Sequence, residues 1–311
     1  MSGQQDDRAP KTLADVSHLF FSKGDASDGT TTGQTVSSRE AEAFPSEQGR
    51  WNRTVVIPVT GAGRPGVSTI AVNLAHALLP WGRVGLFDAD PRLPNARFYL
   101  GMSSSDYLGH LSGGGPSPFS ISDGGLVVGD WAARGAGPDA GGSGEALYVD
   151  ISGTGRRALD IAVVDIPLNR LGLLTPILPL VAPPVLVVRP DFSGFVEGYV
   201  GASAVLAAGL PAPLLVVNGG DESSDSTRFS AKMSEACERL LDTEIRFAGA
   251  VRRESRLGSR QRERGPIVRS EPDSIAALSL REVAANVLAA TRGDDSGTTP
   301  AHAAVSREEQ P

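Results

Sequence analysis

Residues 60–69 read Thr-Gly-Ala-Gly-Arg-Pro-Gly-Val-Ser-Thr and follow a β-branched run, Thr54-Val55-Val56-Ile57-Pro58-Val59. Glycines at that spacing let backbone N–H groups close around an anion, with a helix N-terminus just beyond them. Two phosphate chemistries fit the letters. Gly61, Gly63 and Gly66 form Gly-x-Gly-x-x-Gly, and Asp88 ends the next apolar run, as in a fold that takes the pyrophosphate and ribose of a dinucleotide. Gly61 and Gly66 also form Gly-x-x-x-x-Gly, with the Ser68 hydroxyl placed to reach magnesium and Thr69 beside it, as in a mononucleotide P-loop. The second pattern has one defect: Val67 stands where a lysine would neutralise phosphate. Arg64 is the cation inside the loop, and it either replaces that lysine or is simply solvated, the better supported reading.

The elements that must hold these residues follow from periodicity. Ser68 to Leu79 reads as a helix with Ile70, Leu74, Ala77 and Leu78 on one side. Arg83 to Phe87 is a second strand ending on Asp88. Ile161 to Asp165, Val185 to Val188 and Leu214 to Asn218 are short, continuous apolar runs, the signature of buried parallel strands. Gly194–Leu206, Ser226–Leu241 and Ser274–Ala290 read as helices, and strands alternating with helices give an α/β fold. The stretch 103–144 is a glycine-rich insert with a short strand candidate at Leu126-Val127-Val128. Leu171 to Val188 is apolar enough to suggest a membrane span, but Pro176, Pro179, Pro183 and Pro184 break it into a loop followed by a buried strand.

The run from Val55 to Gly101 resembles the deviant Walker family of MinD, ParA and Mrp-type ATPases. The residues that carry the resemblance are the loop, Ser68 to Leu78, Arg83 to Pro91 with its Asp88-Ala89-Asp90-Pro91, then Leu93-Pro94-Asn95 and Leu100-Gly101. Leu159 to Pro167 looks like that family's Walker B strand, Val216-Val217-Asn218 like its adenine-recognising strand, and Gly249-Ala250-Val251 with Gly265 to Val268 like its closing segment. The order is kept from Thr54 to Ala290. The resemblance implies a single P-loop NTPase-like domain, a mostly parallel twisted sheet with helices on both faces. It implies ATP or ADP held by Gly61, Gly63, Arg64, Gly66, Val67, Ser68 and Thr69, adenine met by Asn218, and magnesium near Ser68, Asp88 and Asp165. It also implies Asp90 as the residue that positions attacking water.

The same resemblance shows what is missing. The family's loop carries two lysines, and the matching positions here are Val67 and Ala62. Phosphoryl transfer relies on positive charge, and losing one such group costs on the order of 3 kcal/mol. Pro65 removes one N–H from the cradle, and Arg252 stands where the family usually has a proline beside adenine. The expectation is a degenerate member, similar to CpaE, TadZ or BcsQ, with weakened nucleotide and magnesium binding and little hydrolysis. Such members help place pili, secretion or polysaccharide machinery. Two alternatives stay open: a working ATPase of the partitioning or cell-division type using Arg64, and an NAD(P)-dependent oxidoreductase using Gly61, Gly63, Gly66 and Asp88. Asp88 and Asp165 also have a bland reading as caps of strand ends.

Composition bounds the rest. A net charge of −7 argues against a chain built as a whole to coat nucleic acid or anionic membrane. A single cysteine, Cys237, excludes a disulfide framework and multi-thiolate zinc, which suits a cytoplasmic protein; the residue sits on a helix face suited to a core. The first ten residues lack the apolar region of a signal peptide, and no integral membrane segment is expected, so any membrane recruitment would run through a partner. Residues 1–50 have the composition of a disordered arm, with an apolar motif near 12–22 that either folds back or docks a protein partner. The domain is expected over 51–291, with a disordered acidic tail at 292–311 and a homodimer formed through the ATPase-type face. Seven arginines between Arg252 and Arg269 provide a DNA-binding possibility, less favoured than a solvated face in so acidic a chain.

Overall fold

The computed structural model describes residues 54–63, 65–90, 96–100, 119–122, 125–130, 159–220, 223–253 and 265–292. Through them the chain runs β1 (Val55–Thr60), α1 (Val67–Ala77), β2 (Val84–Asp88), α2 (Ala96–Tyr99), β3 (Phe119–Ile121), β4 (Val127–Asp130) and β5 (Ile161–Asp165). A 3₁₀ segment (Leu168–Leu180) leads to β6 (Val185–Val188), α3 (Phe192–Ala207), β7 (Leu214–Gly220), α4 (Ser223–Leu241), β8 (Arg246–Arg252), α5 (Ile267–Ser270) and α6 (Ile275–Arg292). The predicted strands and long helices are all present, with ends shifted by a few residues.

The eight strands form one sheet in the order β3-β4-β2-β5-β1-β6-β7-β8. Every neighbouring pair is parallel except β3 with β4. This is the mostly parallel sheet expected from the apolar runs, with a short antiparallel edge strand that the insert concealed. Both faces are covered. Ile57, Val59 and Leu86 turn toward α1, α5 and α6, whereas Val56, Phe87 and Val164 turn toward the 3₁₀ segment. Leu186, Val188, Leu215 and Val217 continue that second face beneath α3 and α4. Each large apolar side chain removed from water this way contributes about 1.5–3 kcal/mol, which is why five short strands of such residues suffice to set the layer order.

The apolar stretch at 171–188 does not span anything. Pro176 and Pro179 lie inside the 3₁₀ segment, which kinks at Ile177, and its buried Leu171, Leu174 and Ile177 pack on the sheet. It was expected as a loop; short-range 3₁₀ turns tolerate the prolines that an α-helix rejects. Among the described residues no helix is long and apolar enough to cross a membrane. Cys237 is fully buried in α4, and burial pushes its thiol up to about 12. The arm, the tail, Arg64, Leu93-Pro94-Asn95, most of the glycine-rich insert and Arg256, Arg260, Arg262 and Arg264 lie outside the described residues.

Candidate functional site

Parallel strands all end on one edge of the sheet, and that edge is where an α/β sheet receives ligands. Here it gathers the loop after β1, Asp88 of β2, Asp165 of β5, Arg189 after β6 and Asn218 of β7. The register makes this concrete: Asp165 pairs across the backbone with both Val59 and Asp88. Each of these polar residues stands at or just beyond the end of an apolar strand.

The loop itself is tightly folded. Gly63 and Gly66 hold φ of +71° and +87°, a region in which side chains are strained. A Cβ on Gly61 would stand 2.7 Å from the Val187 carbonyl, so the loop lies directly on the end of β6. Gly66 caps α1 without any side-chain hydrogen bond, and no acid stands in the first helical turn. The helix therefore presents its N-terminal N–H groups and positive dipole end at the loop. Asn218 Nδ2 donates to the Pro65 carbonyl at 2.7 Å, tying β7 to the loop. Asn73, buried in α1, donates to the Thr69 carbonyl at 2.8 Å and accepts from the Val268 N–H at 3.2 Å, anchoring the helix from behind.

Val67 behaves as the apolar residue it is. Its side chain packs against the core and within 3.0 Å of where a Gly61 Cβ would be. No cation replaces the lysine from within α1, and Ala62 offers none from the loop.

The acids divide into two roles. Asp88 accepts from the Asp90 N–H at 3.0 Å through Oδ1 and from the Ala96 N–H at 2.9 Å through Oδ2. Both oxygens thus clamp the loop between β2 and α2, which matches the bland reading of that residue. Asp165 is buried, and its Oδ2 has no hydrogen-bond partner. Burial pushes its carboxyl up to about 6, against a hydrogen bond from the Ser68 hydroxyl that lowers it, and the charge of Asp90 raises it further. Ser68, Asp90 and Asp165 are therefore near neighbours under the loop. Among the described residues no three His, Cys, Asp or Glu side chains converge as a metal-ligand set. The fit to a magnesium ion rests instead on one hydroxyl and one orphaned buried carboxylate oxygen, with water completing the shell.

Three charged residues of the site carry no motif. Arg170, at the start of the 3₁₀ segment, donates from Nη1 to the Ala89 carbonyl at 3.1 Å, between Asp88 and Asp90. Arg189 lies 3.5 Å from Asp191 and 3.6 Å from Glu197, and its Nε makes no hydrogen bond. Glu197 stands against the loop: a side chain at Gly63 would run into its carboxylate. The available signal for Arg170 and Arg189 is their position, five residues beyond the end of β5 and directly after the end of β6. Arg252, at the end of the edge strand β8, is exposed, as are Arg253 and Arg269.

No protein-family model matches the chain, and no curated protein matches it by sequence. Solved structures match in fold. The cell-division ATPase MinD of Pyrococcus furiosus superposes with a TM-score of 0.57 at 18% identity, over 75% of this chain and 98% of that one. The septum site-determining protein MinD of Pyrococcus horikoshii OT3, complexed with Mg-ADP, gives 0.55 at 18%, over 75% and 96%. A ParA family ATPase of Chlorobium tepidum TLS gives 0.55 at 16%, over 75% and 98%. The fold is that of MinD and ParA. Its strand order bears on the alternatives: β5 lies between β1 and β2, whereas the dinucleotide fold pairs its first two strands directly. Asp88 is thereby separated from the glycine loop by a whole strand and is occupied with backbone N–H groups. The oxidoreductase alternative loses its geometric support.

Proposed function

We propose that this chain is a MinD/ParA-like nucleotide-binding protein of the lysine-poor kind, which holds ATP or ADP with magnesium weakly and hydrolyses it slowly or not at all. One observation carries the reading. Directly under an uncapped helix N-terminus, Ser68 hydrogen-bonds a buried Asp165 that has an oxygen to spare. A buried carboxylate is costly unless a cation or a donor completes it, and a hydroxyl beside it is what a magnesium-bound phosphate needs. When bound, magnesium would neutralise phosphate charge; Ser68 and Asp165 would hold it, and the N–H groups opening α1 would hold the phosphates. Asn218 would meet adenine, and Asp90 would orient water.

In this reading the folded unit is 51–291, flanked by an arm (1–50) and a tail (292–311). The protein acts as a spatial regulator or scaffold for an envelope, pilus, secretion or polysaccharide machine. The segment 12–22 recruits a protein partner, and the nucleotide face forms a homodimer. Cytoplasmic placement, with membrane recruitment through that partner, belongs to the same proposal.

Calorimetric titration with ATP, ADP and NAD, with and without magnesium, tests it. Magnesium-dependent binding of ATP or ADP without NAD binding is the expected result, with affinity weakened a hundredfold by Ser68→Ala together with Asp165→Asn, on the order of 3 kcal/mol. Rapid turnover abolished by Asp90→Ala would establish the working-ATPase alternative instead. NAD binding alone would overturn the reading.

A further inference from the structure

The loop lacks both lysines, yet a cation stands beside it. Arg189 follows β6, whose Val187 carbonyl touches the loop at Gly61. A tight turn fixes it there: Asp191 caps α3 by accepting from the Gly194 N–H at 2.6 Å, and any side chain at Gly194 would strike the Arg189 carbonyl. Its guanidinium lies between two carboxylates, 3.5 Å from Asp191 and 3.6 Å from Glu197. Those separations exceed the roughly 2.7–2.9 Å of a closed charge-assisted hydrogen bond. Arg189 Nε and Glu197 Oε2 are both buried and both lack hydrogen-bond partners. The pair is thus held together by charge, with one donor (Nε) and one acceptor (Oε2) unspent. Glu197 meanwhile presses its carboxylate onto Gly63, within the loop that would cradle phosphate.

A planar guanidinium with an unspent donor fits the tetrahedral oxygens of a phosphate chain. A carboxylate in the same place is the anion that a phosphate would replace. We propose that Arg189 is the phosphate-binding cation of this loop and that Glu197 is its built-in competitor, released from Arg189 when a nucleotide polyphosphate enters. This rests on the nucleotide-binding reading and adds how the site manages without its lysines. Arg170 is the less favoured source of charge, since it is bonded to the Ala89 carbonyl on the opposite side of β1.

The experiment measures dissociation constants of the full chain for Mg-ATP, Mg-ADP and inorganic triphosphate, over a series of salt concentrations. Arg189→Gln weakens all three by about ten- to a hundredfold and lowers the salt dependence, the loss of one charged hydrogen-bond donor. Arg189→Lys falls between it and the wild type, keeping charge without the fork. Glu197→Gln tightens binding by about tenfold, because phosphate no longer displaces a carboxylate. Melting without ligand checks folding, and Arg189→Gln and Glu197→Gln stay within about 2 °C of the wild type, as expected for an ion pair whose side chains are 39% and 30% exposed. If Arg189→Gln melts lower than that, Arg189→Lys and Glu197→Gln carry the test. Nucleotide binding that neither substitution changes overturns this inference and leaves the nucleotide-binding reading standing. Glu197→Gln weakening binding as much as Arg189→Gln also overturns it, since the carboxylate would then support the ligand. Absence of binding in every variant overturns both.

Discussion

Asp165→Asn should make the protein more stable near neutral pH, by an amount on the order of 2 kcal/mol. The carboxyl is about 96% buried, counting from its 4% exposure, and burial pushes it from 3.8 up to about 6. That difference of about 2.2 units corresponds to about 3 kcal/mol at 1.36 kcal/mol per unit. The sign follows from proton linkage. A carboxyl whose folded value is raised stabilises the folded state when protonated, fully below 3.8, and this contribution is lost as pH rises through about 6. At pH 7.5 the wild type therefore folds with a charge it would prefer not to bury. An amide of the same shape carries no charge and still meets the Ser68 hydroxyl, at a residual desolvation cost of about 1 kcal/mol. A net gain of about 2 kcal/mol remains, equivalent to a rise of about 4–8 °C in melting temperature for a domain of this size. Urea unfolding of both proteins at pH 7.5, 6.5, 5.5 and 4 reads it directly. The advantage is largest at pH 7.5, shrinks between about 6 and 4, and disappears at the acid end. Millimolar magnesium should narrow it at pH 7.5, because a cation that binds only the folded wild type stabilises that form alone. An amide variant that is less stable at pH 7.5, or whose advantage is the same at pH 4, would refute the argument.

Three further outcomes are expected. His76 is buried with its Nε2 unpartnered, and burial, aided by Arg269, lowers its value to about 4. Its neutral form supports stability above 6.5 and that support is lost as pH falls toward 4, worth up to about 3 kcal/mol; His76→Gln should flatten this acid-side slope in urea titrations, which in the wild type is partly offset by the opposite slope of Asp165. Asn73→Ala breaks the bonds to Thr69 and Val268 and should cost about 1–3 kcal/mol in chemical unfolding, because it strands the buried Val268 N–H. Gly66→Ala forces a side chain into φ +87° with its Cβ 2.7 Å from Asn218 Nδ2, and should cost about 1–3 kcal/mol and weaken ATP binding in calorimetry.

The sequence made the central sheet legible because five strands are buried on both faces, and such strands must be written in Val, Ile and Leu. The glycine loop was legible for a second reason: φ of +71° and +87° at Gly63 and Gly66 leaves glycine as the natural choice. Beyond these, the letters weakened where burial weakened. β8 begins and ends on arginine, exposes Arg246, Phe247 and Arg252, and forms the sheet edge, so its apolar signal is thin. β3 is three residues long and owes its existence to pairing with β4. Arg189 had only its position after β6 to mark it, and Glu197 had no signature at all. Glu197 reaches the loop only because the sheet places β6 beside β1, a relation that no local spacing encodes. The same holds for Asn218 and Pro65, which meet across 153 residues of chain.

The charges along the sheet edge form a pattern that stability alone does not explain. Asp165 carries a cost of about 3 kcal/mol near neutral pH that an amide would relieve, and Glu197 keeps a buried oxygen without a hydrogen bond. Arg189 holds one buried donor, its Nε, unspent between two acids. Structural ion pairs normally close their hydrogen bonds, since the desolvation penalty is met only that way. A loop kept solely to join β1 to α1 would need neither the orphaned acid below it nor the half-closed pair beside it, and proteins retain such costs chiefly where a ligand repays them. On the proposed reading, the missing lysines do not mark an emptied site. On that reading the positive charge moves from the loop to the neighbouring strand end, where Glu197 restrains it, and nucleotide affinity would be a competition between a side-chain carboxylate and a phosphate for one guanidinium.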